Sequence, residues 1–109
     1  MLIKYGAVIQ DSSVYFNLKR ITNQVYKLLP SREEGADWEK PLATLIEELA
    51  GMDKILVDHH DILFPLLCKL EGLSLLQNEQ DFDLYRRTIF ECLGLISELM
   101  KICQNYLEI

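Results

Sequence analysis

Apolar residues recur along most of this chain at alternating intervals of three and four residues, and short polar segments separate the runs. In the first run, which follows Asp11, the apolar positions are Val14, Leu18, Ile21, Val25 and Leu28. This spacing places them along one side of an α-helix. Asp11 and the two serines after it can cap the helix start, and Pro30 is expected to end the helix. We therefore predict a helix over residues 12–29.

Three further helices are predicted over residues 38–57, 61–76 and 81–107. Asp37 and Asp61 are each followed by a proline four residues later, so both are expected to cap a helix that carries proline in its first turn. Asp81 is expected to cap the last helix, whose apolar seam is the most regular. That seam consists of Phe82, Tyr85, Ile89, Cys92, Ile96, Leu99, Cys103 and Tyr106.

Four helices of this kind predict an all-α fold, a single four-helix bundle preceded by a short N-terminal arm. The arm is ambiguous because Ile3, Tyr5, Ala7 and Ile9 alternate with other residues as they would in a β-strand. A lone strand needs a pairing partner, which a second copy would have to provide. A short helical or extended arm packed on the bundle is the alternative.

Amino-acid composition and net charge argue against some classes of function. The chain has 109 residues, which suits one domain, and 17 acidic against 11 basic residues give a net charge of −6. An acidic surface repels phosphate backbones, so we expect no direct nucleic-acid binding. The longest apolar run, 62–68, is far shorter than the roughly 20 residues that span a bilayer, so we expect no membrane association.

The cysteines and the N-terminus indicate the compartment. Cys68, Cys92 and Cys103 are odd in number and lie in apolar helical patterns, so we predict buried thiols in a reducing environment. The first residues lack a basic leader and a cleavage site, so no signal peptide is expected. We expect a cytoplasmic protein.

The segment ILVDHH, residues 55–60, resembles one motif of the DHH phosphoesterases, in which an aspartate and two histidines help to hold a pair of metal ions. The resemblance implies a metal-dependent hydrolase with Asp58, His59 and His60 as ligands. That family also uses aspartates on earlier strands, and this chain has no alternating strands and helices before Asp58. We therefore predict a junction between two helices, no catalytic residues, no metal and no cofactor.

The amount of apolar surface suggests a function. The third and fourth helices are apolar around most of their circumference, and a bundle of this size encloses only one such helix fully. We predict a non-enzymatic protein–protein interaction module that binds another protein or itself, most simply as a homodimer through the fourth helix. An acidic inhibitor or nucleic-acid mimic that binds a basic protein is the alternative. The predicted contact residues are Tyr85, Leu95, Leu99, Ile102, Tyr106, Ile109, Tyr15 and Tyr26.

Overall fold

The computed structural model describes the backbone of residues 2–4, 7–9 and 11–107, and the side chains of residues 14–56 and 58–103. Two short strands, β1 (Leu2–Lys4) and β2 (Ala7–Ile9), precede four helices. The helices are α1 (Asp11–Glu33), α2 (Glu39–Ile55), α3 (His60–Leu73) and α4 (Phe82–Leu107). Single 3₁₀ turns, Val57–His59 and Glu79–Asp81, lead into α3 and α4. The predicted all-α four-helix architecture is confirmed.

The helices form a closed ring in which each packs against the next and α4 returns to α1. Consequently α1 and α3 lie diagonally opposite each other, and both contact α2 and α4. The core lies along the centre of this ring, and each helix contributes its apolar seam. Its largest fully buried side chains are Tyr85, Leu18, Ile21, Leu28, Leu42, Leu45, Leu49, Leu56, Leu63, Leu66, Leu70 and Leu73.

Helix α1 does not end at Pro30 as predicted but continues to Glu33. A proline removes one backbone donor without preventing the following residues from remaining helical. The helix ends instead at Gly35, whose φ of 74° is readily adopted only by glycine. Ala36 N–H donates to the Ser31 carbonyl at 2.8 Å, and Gly35 N–H donates to the Arg32 carbonyl at 3.1 Å. These two bonds form a Schellman motif, which satisfies the last carbonyls of the helix.

The starts of α2 and α3 differ in their capping. The Asp37 carboxylate accepts hydrogen bonds from the N–H groups of Glu39 and Lys40, both at 3.2 Å, so its predicted capping role is confirmed. The same prediction for Asp61 is wrong, because α3 already begins at His60 and Asp61 lies within its first turn. At its other end α3 stops at Leu73, three residues before the predicted end.

The N-terminal arm contains its own pairing partner. Strand β1 pairs antiparallel with β2, and Leu2 lies opposite Ile9. The arm therefore forms a hairpin of two short strands and not one strand that needs a second copy. Strand β1 also lies against the Val57–His59 turn, so the hairpin covers the end of the bundle where α2 and α3 meet.

Arg32, near the end of α1, holds the opposite end of the bundle together. Its guanidinium donates hydrogen bonds to the Leu76 carbonyl and, at 2.8 Å, to the Asn78 carbonyl, both in the connection between α3 and α4. The same group lies over three aromatic rings, with centroid distances of 4.3 Å to Tyr85, 5.3 Å to Trp38 and 5.6 Å to Phe82. One side chain thereby fixes the end of α3 relative to α1 and α4.

Candidate functional site

Two of the predicted contact residues on α4 lie inside the bundle. Tyr85 and Leu99 are fully buried, and the Tyr85 hydroxyl donates to the Leu28 carbonyl of α1 at 3.3 Å. Burial raises the pKa of Tyr85 to about 12, although the nearby Arg32 guanidinium opposes this shift. The prediction that Tyr85 and Leu99 contact a partner is therefore wrong, because their side chains fill the core of a single chain.

Two other predicted contact residues, Leu95 and Ile102, are half-buried at the edge of α4 that faces α3. Glu91 lies one helical turn before Leu95, and its carboxylate pairs with the Lys69 ammonium of α3 at 2.5 Å. This side of α4 therefore faces α3. Leu84, seven residues before Glu91, follows on the same edge and is 47% exposed. This edge of α4 therefore carries partly exposed apolar side chains beside α3.

Of the predicted contact residues on α1, Tyr15 is half-buried and Tyr26 is 50% exposed. The Tyr15 ring lies edge-on to Phe16, with centroids 5.9 Å apart, and Phe16 is 65% exposed. The Tyr106 side chain and Ile109 lie outside the described residues.

The outer side of α3 presents a stripe that the sequence did not single out, because nearly all positions of this helix are apolar. We call it the α3 strip, and all its members are exposed: Asp61, Phe64, Cys68, Glu71 and Leu75. Phe64 is 54% exposed, and Leu75, in the turn after α3, is 81% exposed. The strip therefore combines apolar surface with acidic charge and contains no basic residue.

Cys68 corrects the prediction that all three cysteines are buried. Its position on the α3 strip exposes its thiol, whereas Cys92 and Cys103 on α4 lie in the core. Burial raises the pKa of the Cys92 thiol to about 12, despite an opposing effect of the Lys69 ammonium. Because its thiol is accessible to reagents in solution, Cys68 provides a chemical probe of the α3 strip.

A second exposed stripe lies on the outer side of α1, across the bundle from the first. This α1 strip consists of Phe16, Lys19, Asn23, Tyr26 and Pro30, all exposed. It is aromatic and basic, and the Lys19 ammonium pairs with no described acidic side chain. Its neighbour Arg20 points towards α2, where it pairs with Glu48 at 2.7 Å.

The segment around the two histidines is a junction between helices, as predicted. His60 Nδ1 lies 2.8 Å from the Asp53 carboxylate of α2. His59 points inward and is only 9% exposed, and its Nε2 has no hydrogen-bond partner among the described residues. Asp58 is exposed. The three adjacent residues thus point in different directions, and no three His, Cys, Asp or Glu side chains in the described part of the chain are grouped to hold a metal ion.

Between α1 and α2 lies an open, largely apolar groove of about 420 Å³. Ile21 of α1 and Met52 and Ile55 of α2 line it. The Arg20–Glu48 ion pair spans the groove, since both residues also belong to its lining. The groove therefore offers apolar surface whose access is restricted by a surface ion pair.

No protein-family model, curated protein sequence or solved structure matches this chain. Among the described residues, no helix combines the length and the apolar character needed to cross a membrane.

Proposed function

We propose that this chain is a non-enzymatic protein–protein interaction module whose contact surface is the α3 strip. The observation that carries the proposal is the exposure of Phe64 and Cys68 on one side of α3 and of Leu75 in the turn that follows it. Single exposed apolar side chains are common on protein surfaces. An aligned row bordered by charge is typical of a surface that another protein covers.

The chemistry of the strip supports a partner that is apolar and basic. From Phe64 to the end of α3 at Leu73 the strip is about 14 Å long, at 1.5 Å per helical residue, and Leu75 extends it into the following turn. This length corresponds to about three turns of a partner helix, which would contribute apolar side chains at intervals of three and four. Asp61 and Glu71, the two charged residues of the strip, favour lysine or arginine at the border of that helix.

The same charges argue against symmetric pairing of two α3 strips. In a symmetric dimer identical surfaces meet, which would bring the carboxylates of Asp61 and Glu71 towards those of the second copy. Like charges at an interface weaken association. Six side chains of the α4 seam contribute nothing to such a dimer because they are buried within one chain: Tyr85, Ile89, Cys92, Ile96, Leu99 and Cys103. We therefore propose a basic helical surface as the partner.

The exposed Cys68 thiol suits a reducing compartment, because an accessible thiol is easily oxidised elsewhere. We accordingly propose that the module acts in the cytoplasm.

A labelling experiment tests the contact surface. The reaction of Cys68 with a thiol reagent is followed while a synthetic amphipathic helix of leucine and lysine is added to the full chain. Binding at the α3 strip should slow labelling in a saturable manner. Replacing both Phe64→Ser and Leu75→Ser should weaken that binding about tenfold or more, because two apolar contacts are lost.

Phe90→Ser is the matched control, since Phe90 is 49% exposed on α4 and lies outside the strip. It should leave the affinity unchanged. A helix of leucine and glutamate should bind poorly to the acidic strip. If the leucine–lysine helix leaves Cys68 labelling unchanged, the proposed surface is wrong. Binding that survives both serine substitutions but disappears in high salt would instead favour the acidic-mimic alternative.

A further inference from the structure

We propose that the partner of the α3 strip is the α1 strip of a second copy of this chain, packed antiparallel to it. This inference rests on the proposed function and names the surface that the module binds. The two strips complement each other in position, in apolar character and in charge.

The positions match along the whole length of both strips. Each strip has five members at alternating intervals of three and four residues, which is the spacing of one side of an α-helix. When the two helices run antiparallel, intervals of 3, 4, 3 and 4 on α1 face intervals of 4, 3, 4 and 3 on the α3 strip, so facing positions differ by at most one residue, about 1.5 Å. The facing pairs are Phe16 with Leu75, Lys19 with Glu71, Asn23 with Cys68, and Tyr26 with Phe64.

This register buries apolar side chains against one another at two positions. Phe16 and Leu75 are the most exposed large apolar residues of α1 and of the α3 segment, at 65% and 81%. Tyr26 and Phe64, at 50% and 54%, face each other about three helical turns further along. Aromatic side chains of this kind provide much of the contact energy in protein interfaces.

The charges are complementary in the same register. No aspartate or glutamate occurs in residues 12–32, so no acidic side chain lies among the members of the α1 strip. Lys19 has no ion-pair partner among the described residues of its own chain and would face Glu71 of the second copy. Lys27, exposed beside Tyr26, would approach the Asp61 end of the strip. A parallel arrangement would place Lys19 against Phe64 and lose this match.

The arrangement of the bundle determines the type of assembly. Because α1 and α3 lie diagonally opposite each other, a chain that uses its α3 strip for one neighbour still presents its α1 strip to another. Such head-to-tail contacts produce rings or open rows and are not limited to dimers. The average mass should therefore rise with protein concentration beyond that of two chains.

Charge exchange tests the pairing in the full chain. Lys19→Glu and Glu71→Lys should each weaken self-association about tenfold, as measured by sedimentation velocity over a concentration series, because an attraction becomes a repulsion. The chain carrying both substitutions should recover the association of the original, since the facing charges are again opposite. Arg87→Glu, at an exposed position of α4 outside both strips, is the control and should change little.

A cross-link tests the register. Asn23→Cys should form a disulfide with Cys68 of another copy when a mild oxidant is added, because the two positions face each other. Asn17→Cys is the matched control, since Asn17 is exposed on the α2 side of α1. Peptide mapping by mass spectrometry identifies the linked residues. Equal linkage of both introduced thiols to Cys68 would overturn the register.

The results separate this inference from the proposed function. A chain that remains monomeric at all concentrations while the leucine–lysine helix still protects Cys68 overturns self-association and leaves the contact surface intact. Self-association that neither single charge reversal weakens overturns the pairing of the two strips. Failure of the double variant to recover association has the same consequence.

Discussion

Replacing Arg32 with methionine should destabilise the bundle more than any other single change at a surface arginine. Arg32→Met keeps an unbranched, helix-compatible side chain but removes the guanidinium. The variant loses the hydrogen bonds to the Leu76 and Asn78 carbonyls and the contacts with three rings. Because Leu76 directly follows Leu75, the end of the α3 strip also loses its connection to α1.

The magnitude follows from these contacts. Hydrogen bonds from a charged donor are worth about 1.5–3 kcal/mol when shielded, and about 1 kcal/mol each is reasonable here because the carbonyls remain close to water. A guanidinium over an aromatic ring adds about 1 kcal/mol, and the ring of Tyr85 is the nearest at 4.3 Å. The total is about 2–3 kcal/mol, which lowers the melting temperature of a domain of this size by about 10–15 °C.

Urea and thermal unfolding, followed by circular dichroism and by the fluorescence of the single tryptophan, Trp38, measure this loss. Arg32→Lys retains the charge but not the planar fork that reaches both carbonyls, and it should recover about half of the lost free energy. Arg87→Met is the control and should stay within about 0.5 kcal/mol of the original. If Arg32→Met is no more destabilising than Arg87→Met, the assignment of Arg32 as the anchor is wrong.

Three further outcomes are expected. Gly35→Ala should lower the free energy of unfolding by roughly 1 kcal/mol because of the positive φ. Gly94→Ala should raise it by up to about 1 kcal/mol, because Gly94 lies in the interior of α4 with open space around an added Cβ. Equal effects of the two substitutions in urea unfolding would contradict this expectation. In the native protein Cys68 should react rapidly with Ellman's reagent, whereas Cys92 should react only on unfolding. Rapid reaction of a second cysteine in the native protein would refute the described burial. The pKa of tyrosine in an unfolded chain is near 10, and burial raises the pKa of Tyr85 to about 12. The stability due to its neutral hydroxyl is therefore complete below about pH 10 and declines as the pH rises towards 12. Tyr85→Phe should reduce this alkaline loss, and an unchanged pH profile in thermal unfolding would contradict the assignment.

The outcome for α1 shows where local sequence rules stop being sufficient. The apolar spacing of α1 was visible in the sequence, but Pro30 was expected to end the helix. The chain continues for one further turn because Gly35 supplies the left-handed conformation that closes it. The additional turn carries Arg32 to its carbonyl partners, which lie more than 40 residues away in the chain. No local pattern indicates those partners.

The candidate contact surface shows the same limit. The excess of apolar residues on the third and fourth helices was evident, and from it we predicted contact through Tyr85 and Leu99. Both lie in the core, while Phe64 on α3 and Leu75 in the turn after it remain exposed. When nearly every position of a helix is apolar, its periodicity no longer distinguishes the inner side from the outer side.

The sequence by itself determined that this chain forms four helices around one core, because the spacing of apolar residues and the capping side chains act within one or two turns. It also determined the acidic charge and the absence of acids from residues 12–32. Only the tertiary structure decided which sides of α3 and α4 are covered, because that depends on which neighbouring helices lie against them. Packing between α2 and α4 leaves the α3 strip outside, diagonally opposite α1.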